Sequence, residues 1–177
     1  MQERKPRLLN GPKLWEYALR VLAGRASTTG ELREKLRRRA ERASDVDDAL
    51  ARLKDYGYLN DRRFAEGYAA ARLSNEKLGR ARVLRDLRQR RVAPALAEST
   101  VRQVYQDVDE QSLIADWIRR KCRLADREGL FQDKDLARAY ARLLRAGFRS
   151  GEIVTALKRF AKNPELLDSF EPPQEEA

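Results

Sequence analysis

Three stretches of this chain, Lys35 to Leu50, Asp86 to Val101 and Arg142 to Leu157, superimpose on one another without a gap. Leu36, Leu87 and Leu143 coincide in that superposition, as do Leu50, Val101 and Leu157. Offsets of 51 and 56 residues mark one supersecondary unit copied in tandem. Units of this kind bury their apolar faces on themselves and on their neighbours. The chain is therefore predicted to build an elongated, curved array with a long concave surface open to a partner.

Each unit reads as three helices. Leu14, Tyr17, Ala18, Val21 and Leu22 follow the i, i+3, i+4, i+7, i+8 stripe of a half-buried helix, and no segment alternates as a strand does. Thr28-Thr29-Gly30-Glu31 has the spacing of a capping box, and Ser44-Asp45-Val46-Asp47 is predicted to open the next helix. Gly57-Tyr58-Leu59 supplies a glycine at the left-handed position past a helix end with an apolar residue beyond it, and Gly129-Leu130-Phe131 and Gly147-Phe148 repeat that ending. Pro94 suits the first position of a helix. Further stripes include Phe64, Tyr68 and Ala71, and Ile114, Trp117, Ile118 and Ala125. The fold class is all-α, about nine helices in three repeats over 14–59, 60–106 and 107–162. Residues 1–13 and the acidic 163–177 lack periodicity and are expected to be flexible.

Composition removes most chemistry. Among 177 residues there is no His, which excludes His-dependent triads and His-containing zinc sites, and the single Cys122 has no partner for a disulfide. Cys122 lies near Arg119, Arg120, Lys121 and Arg123 but is read as a core residue. The acids Asp45, Asp47 and Asp48 do not make a calcium loop, because the sixth position from Asp45 is Leu50 where the turn needs Gly. Acids there, and at Asp107, Asp109 and Glu110, fit helix starts. No phosphate-binding glycine loop occurs. No enzyme, metal or cofactor is expected. With no apolar signal run and no stretch of 18 apolar residues, the chain is predicted to be soluble and cytoplasmic, without a membrane role.

What remains is positive charge. The formal net charge is +10, and the first 162 residues, with all 38 cations and 23 of the 28 acids, carry +15. Arg outnumbers Lys 29 to 9, and its planar fork suits phosphate and carboxylate. Arg33, Arg37 and Arg38 point away from the Leu32/Leu36 stripe, and Arg82, Arg85 and Arg88 lie on or near the outward side of Leu84/Leu87. Arg62, Arg63, Arg72, Lys77 and Arg80 add charge to the middle unit. These eleven residues are the candidate contacts for an acidic protein surface or DNA phosphates. Trp15, Trp117 and the six Tyr fall mostly on apolar stripes and read as core.

The run from Gly57 through Tyr58, Leu59, Asn60, Asp61, Arg62, Arg63, Phe64, Ala65, Glu66 and Gly67 to Tyr68 resembles the signature of the RecX family of bacterial recombination regulators. Tyr17-Ala18-Leu19 and Glu31 to Leu36 stand where that family has its first two helices, and Gly79, Arg82, Val83 and Leu87-Arg88-Gln89 match its middle repeat. The likeness spans about Leu14 to Lys162 and marks Gly57, Tyr58, Leu59, Asp61, Phe64, Ala65, Tyr68 and Leu87 as structural positions. It implies a non-enzymatic modulator that binds RecA and the RecA-DNA filament and inhibits ATP hydrolysis, strand exchange and coprotease activity. A monomer is the default for so charged a chain. Two departures stand out: Arg80 replaces a common Pro, and Arg91 replaces the Gly that ends the helix. The second predicts that the turn before Val92 departs from the family's. The alternative reading is a direct, largely sequence-independent DNA-binding protein made of helix-turn-helix-like units. A carboxylate-dependent nuclease finds no acidic cluster outside helix starts.

Overall fold

The computed structural model describes residues 8–122 and 131–169. Among them run nine α-helices: α1 Gly11–Gly24, α2 Thr29–Arg37, α3 Ala43–Asp55, α4 Asp61–Ala71, α5 Arg80–Gln89, α6 Pro94–Val104, α7 Glu110–Lys121, α8 Asp133–Arg145 and α9 Ser150–Lys158. A π-turn, Arg72–Glu76, continues α4, and a 3-10 turn, Pro164–Ser169, follows α9. Extended pairing among the described residues is limited to the isolated bridges Leu9 to Ala40 and Phe131 to Ala161. The chain is all-α, as its periodicity predicts.

Local chemistry explains the boundaries. At α2 the Thr28 hydroxyl accepts from the Glu31 amide at 3.0 Å, and the Glu31 carboxylate accepts from the Thr28 amide at 3.2 Å, closing the expected capping box. Helix α3 begins at Ala43, so Ser44 is its second residue and supplies no cap; Asp45 in the first turn favours that start through the helix dipole instead. Pro94 opens α6. Ala71, expected on an apolar stripe with Phe64 and Tyr68, is exposed because α4 turns Ala65 and Ala69 into the core and Ala71 lies nearly opposite them on the helix.

Three helices end in the same turn. Tyr58 donates to the Leu53 carbonyl and Gly57 to that of Lys54; Phe148 and Gly147 donate to Leu143 and Leu144; Val92 and Arg91 donate to Leu87 and Arg88. The residue past the helix end is left-handed each time, with φ +72° at Gly57, +90° at Gly147 and +59° at Arg91. The turn before Val92 therefore keeps this geometry, contrary to the expectation, because an arginine adopts the glycine conformation. That conformation costs a non-glycine residue about 1 kcal/mol or more.

The expected flexible ends need revision where they are described. Helix α1 starts at Gly11, capped by the Asn10 side chain, and Leu9 exchanges backbone hydrogen bonds with Arg39 and Glu41. At the other end Leu167 is buried and Lys158 reaches Asp168 at 2.6 Å. A single apolar anchor leaves no period in a sequence. Residues 1–7 and 170–177, together with Ala125 and the Gly129-Leu130 part of the second predicted ending, lie outside the described residues.

The described residues form two compact units, those within 1–67 and 87–100 and those within 68–86 and 101–177. The first centres on Leu14, Ala18, Leu32, Leu36, Val46, Leu50 and Leu53. In the second, Tyr105, Ile114, Ile118, Leu136, Leu143 and Ile153 are the large buried side chains. The repeat leucines Leu36, Leu87 and Leu143 are all fully buried. Helices α4, α5 and α6, one repeat by sequence, each contribute to both units.

One kind of joint recurs inside the units. In the first, the turn after α5 seats on the start of α2: Thr28 Oγ1 donates to the Arg90 carbonyl at 2.5 Å, and a Cβ on Gly30 would stand 2.7 Å from the Arg91 carbonyl oxygen. In the second, the turn after α8 seats on the start of α5: the Gly79 amide donates to the Ala146 carbonyl at 2.8 Å. Arg90 and Ala146 occupy the same repeat position, 56 residues apart. Thr28 is fully buried and serves the cap and the joint together. Thr28→Val is expected to cost about 2 kcal/mol and Thr28→Ser much less, read as the shift in urea unfolding midpoint.

Candidate partner-binding surface

The joint in the first unit gathers cations. Glu31 lies 4.0 Å from Arg25 and 3.7 Å from Arg90, while Glu34 pairs with Arg38 at 2.5 Å and also with Arg91. The Arg90 guanidinium lies over the Phe64 ring, 5.5 Å from its centroid. The Thr29 amide donates to Asp61 at 2.7 Å, bringing the first turn of α4 to the same place. Arg62 and Arg63 follow Asp61, are exposed, and make no ion pair among the described residues. Arg25, Arg38, Arg62, Arg63, Arg90 and Arg91 thus stand against Glu31, Glu34 and Asp61, leaving the junction cationic.

Arg91 is where backbone and charge meet. Its φ of +59° is unfavourable, while its half-exposed guanidinium gains an ion pair that water screens. Arg91→Gly is expected to raise stability by about 1 kcal/mol less the small worth of that pair. Glu34→Gln measures the pair separately, and a loss of stability in Arg91→Gly would contradict the backbone argument.

The second unit has a smaller cluster. Arg82 and Arg85 both reach the Arg145 carbonyl, each at 3.4 Å, at the end of α8 where the helix dipole favours cations. Asp86 accepts from Arg82 Nε at 2.9 Å and from the Tyr68 hydroxyl at 3.3 Å. Arg145 is exposed beside them.

The eleven candidate cations fall into two sorts. Arg33 pairs with Asp47 at 2.6 Å, Arg38 with Glu34, Arg88 with Glu98 at 2.7 Å and Arg82 with Asp86. Arg72 pairs with Glu76 and covers the Tyr68 ring at 4.7 Å, and Arg80 donates to the Tyr105 carbonyl at 2.7 Å. Arg37, Arg62, Arg63, Lys77 and Arg85 have no carboxylate partner among the described residues. Lys77 stands at the left-handed end of the π-turn with φ +55°. Arg25, Arg90, Arg91 and Arg145 stand outside the eleven candidates, although the sequence singles out Arg91 for its backbone. A helical wheel does not rank residues in a turn, although the repeat places Arg90 and Arg91 in the turn after the shared leucine.

The resemblance positions are largely internal. Leu59, Ala65 and Leu87 are buried, Phe64 and Tyr68 half-buried, and Asp61 ties two helix starts together. Tyr58 is different, at 60% exposed, and Tyr56 is 63% exposed. The reading of tyrosines as core thus holds for Tyr105 and Tyr140 and fails for these two, which leave the stripe where α3 ends. Cys122 is buried, and burial pushes its thiol pKa up despite the Arg142 charge, so its position does not favour a reactive thiolate. No group of three His, Cys, Asp or Glu suited to a metal ion occurs among the described residues, and none of the described helices is long and apolar enough to cross a membrane.

Comparison with known proteins places these features. Residues 15–53 match the model of the RecX first three-helix domain, and residues 60–101 that of the second. The chain is 34% identical over 133 residues to the regulatory protein RecX of Trichlorobacter lovleyi, covering 75% of this chain and 86% of that one. It is 36% identical over 152 residues to the regulatory protein RecX of Deinococcus radiodurans, covering 84% and 69% respectively. Its fold is similar to that of the crystal structure of RecX from Lactobacillus salivarius, with a TM-score of 0.69 at 20% identity over 85% of this chain and 96% of that one. With two consecutive domain models matched and these relatives aligned along most of their length, the chain belongs to the RecX family.

Proposed function

We propose that this protein is a cytoplasmic, monomeric regulator that binds RecA and its nucleoprotein filament and inhibits ATP hydrolysis, strand exchange and coprotease activity. The observation that carries the reading is the cationic junction of the first unit, where Arg62 and Arg63 have no ion pair among the described residues. Guanidinium forks pair bidentately with carboxylate and phosphate, so such a surface suits a filament that presents acidic side chains beside exposed DNA. Binding of this kind regulates by holding a filament state and calls for no catalytic group.

The test is RecA ATP hydrolysis on single-stranded DNA, titrated with this protein at substoichiometric ratios, beside a gel shift on the same DNA without RecA. Inhibition well below one protein per RecA with weak shifting of naked DNA supports the proposal. Inhibition that only tracks competition for DNA, with a steep salt dependence, favours the direct DNA-binding reading, which the unpaired Arg37, Arg62 and Arg63 also support.

A further inference from the structure

The first unit carries one face whose chemistry opposes that of its cationic junction. A concavity of about 430 Å³ opens between the start of α1 and the first half of α3, lined by Trp15, Glu16, Asp45, Asp48 and Arg52. Its size falls within the roughly 300 to 1,000 Å³ of pockets that seat a small ligand or an inserted side chain. Glu16, Asp45 and Asp48 make no ion pair among the described residues, in a chain with ten excess positive charges. Arg52, the cation of the lining, lies over the Trp15 ring, 4.2 Å from its centroid. Its placement shows that this indole face accepts a guanidinium.

The aromatic surface continues past the concavity. Tyr56 lies 6.0 Å from Trp15 and Tyr58 lies 6.2 Å from Tyr56, centroid to centroid. Both tyrosines are well over half exposed, and neither position is needed for the core of the unit. Trp, Tyr and Arg are the residue types that dominate binding energy at protein interfaces.

We infer that this concavity and its Trp15-Tyr56-Tyr58 rim form a docking site for a partner protein segment that inserts a Lys or Arg side chain flanked by apolar residues. Charge complementarity selects that occupant. Three carboxylates against one arginine leave the concavity negative, so it attracts a cationic side chain and repels phosphate. Ring geometry points the same way, since the planes are tilted by 57° and 49° and do not form the parallel platform on which successive bases stack. The site is thus distinct in partner chemistry from the cationic junction, and the inference does not rest on the filament reading.

The test uses the full chain labelled with nitrogen-15 and follows the Trp15 indole Nε1–H by NMR. The probes are the peptide acetyl-Leu-Lys-Arg-Leu-amide, its counterpart with two Glu in place of Lys-Arg, and a short oligothymidylate. The expected result is a saturable shift with the cationic peptide alone. In the combined Glu16→Gln, Asp45→Asn and Asp48→Asn variant its affinity should fall at least about tenfold, since the substitutions remove the charge attraction. Tyr56→Ala with Tyr58→Ala should weaken it as well, and dispersion of the remaining amide signals in the same spectra verifies folding. Equal response to the acidic peptide, response to the oligothymidylate, or no response to the cationic peptide would overturn the inference. RecA is absent from the measurement, so none of these outcomes bears on the filament reading.

Discussion

Replacing Gly147 with alanine is expected to lower stability by roughly 3 kcal/mol, the largest effect of any single substitution considered. Two causes add. The φ of +90° costs an L residue about 1 to 2 kcal/mol, and the new Cβ would come within 3.0 Å of the Arg82 backbone nitrogen and Cα. Backbone atoms on α5 cannot swing aside as a flexible side chain does, so the joint between that helix and the α8–α9 turn must open. Gly57→Ala separates the two causes. Gly57 has φ +72° but nothing within 4 Å of its would-be Cβ, so its replacement is expected to cost only about 1 to 2 kcal/mol. Gly67, inside α4 with open space around it, should gain about 0.5 to 1 kcal/mol on replacement by alanine. Urea unfolding of the three variants is the measurement. Equal losses at Gly147 and Gly57 would remove the close approach as a source of the effect.

Reversing both Arg62 and Arg63 to glutamate is expected to weaken inhibition of RecA ATP hydrolysis by at least about thirtyfold, equivalent to about 2 kcal/mol of binding. The estimate counts two charge-assisted contacts, each worth about 1.5 to 3 kcal/mol where made, and allows that one is partial. These two arginines are singled out because a paired guanidinium carries its own counter-charge and contributes little field beyond it. Arg33→Gln and Arg88→Gln, which open exposed pairs with Asp47 and Glu98, should change inhibition much less. Reversal at Arg82, Arg85 and Arg88 probes the second cluster in the same assay. Undiminished inhibition by a folded Arg62/Arg63 double variant would remove the junction from the proposed interface.

Much of the fold was legible because helices announce themselves locally. The capping box at Thr28 to Glu31, the left-handed glycines 57 and 147, and the buried leucines 36, 87 and 143 depend on residues within one or two turns of each other. The anchors at Leu9 and Leu167 were not legible, since one apolar residue outside a stripe carries no period. The Arg91 turn misled for a related reason. Propensity argues against an arginine there, but the six-residue hydrogen-bonded ending and its seat against Gly30 hold the left-handed conformation.

The candidate site was legible only as a quantity of charge. The chain's composition and helical period established by themselves an all-α, strongly basic protein, and the run Gly57 to Tyr68 its resemblance to a family, because period, caps and motifs are read from neighbouring residues and net charge from a plain count. Which arginines are spent on Asp47, Glu98, Asp86 or the Tyr105 carbonyl, and which remain unpaired, was decided by tertiary structure alone. So was the exposure of Tyr56 and Tyr58 beside an acid-lined concavity. A guanidinium's partner is chosen by distances between segments far apart in the chain, and no local pattern encodes those distances.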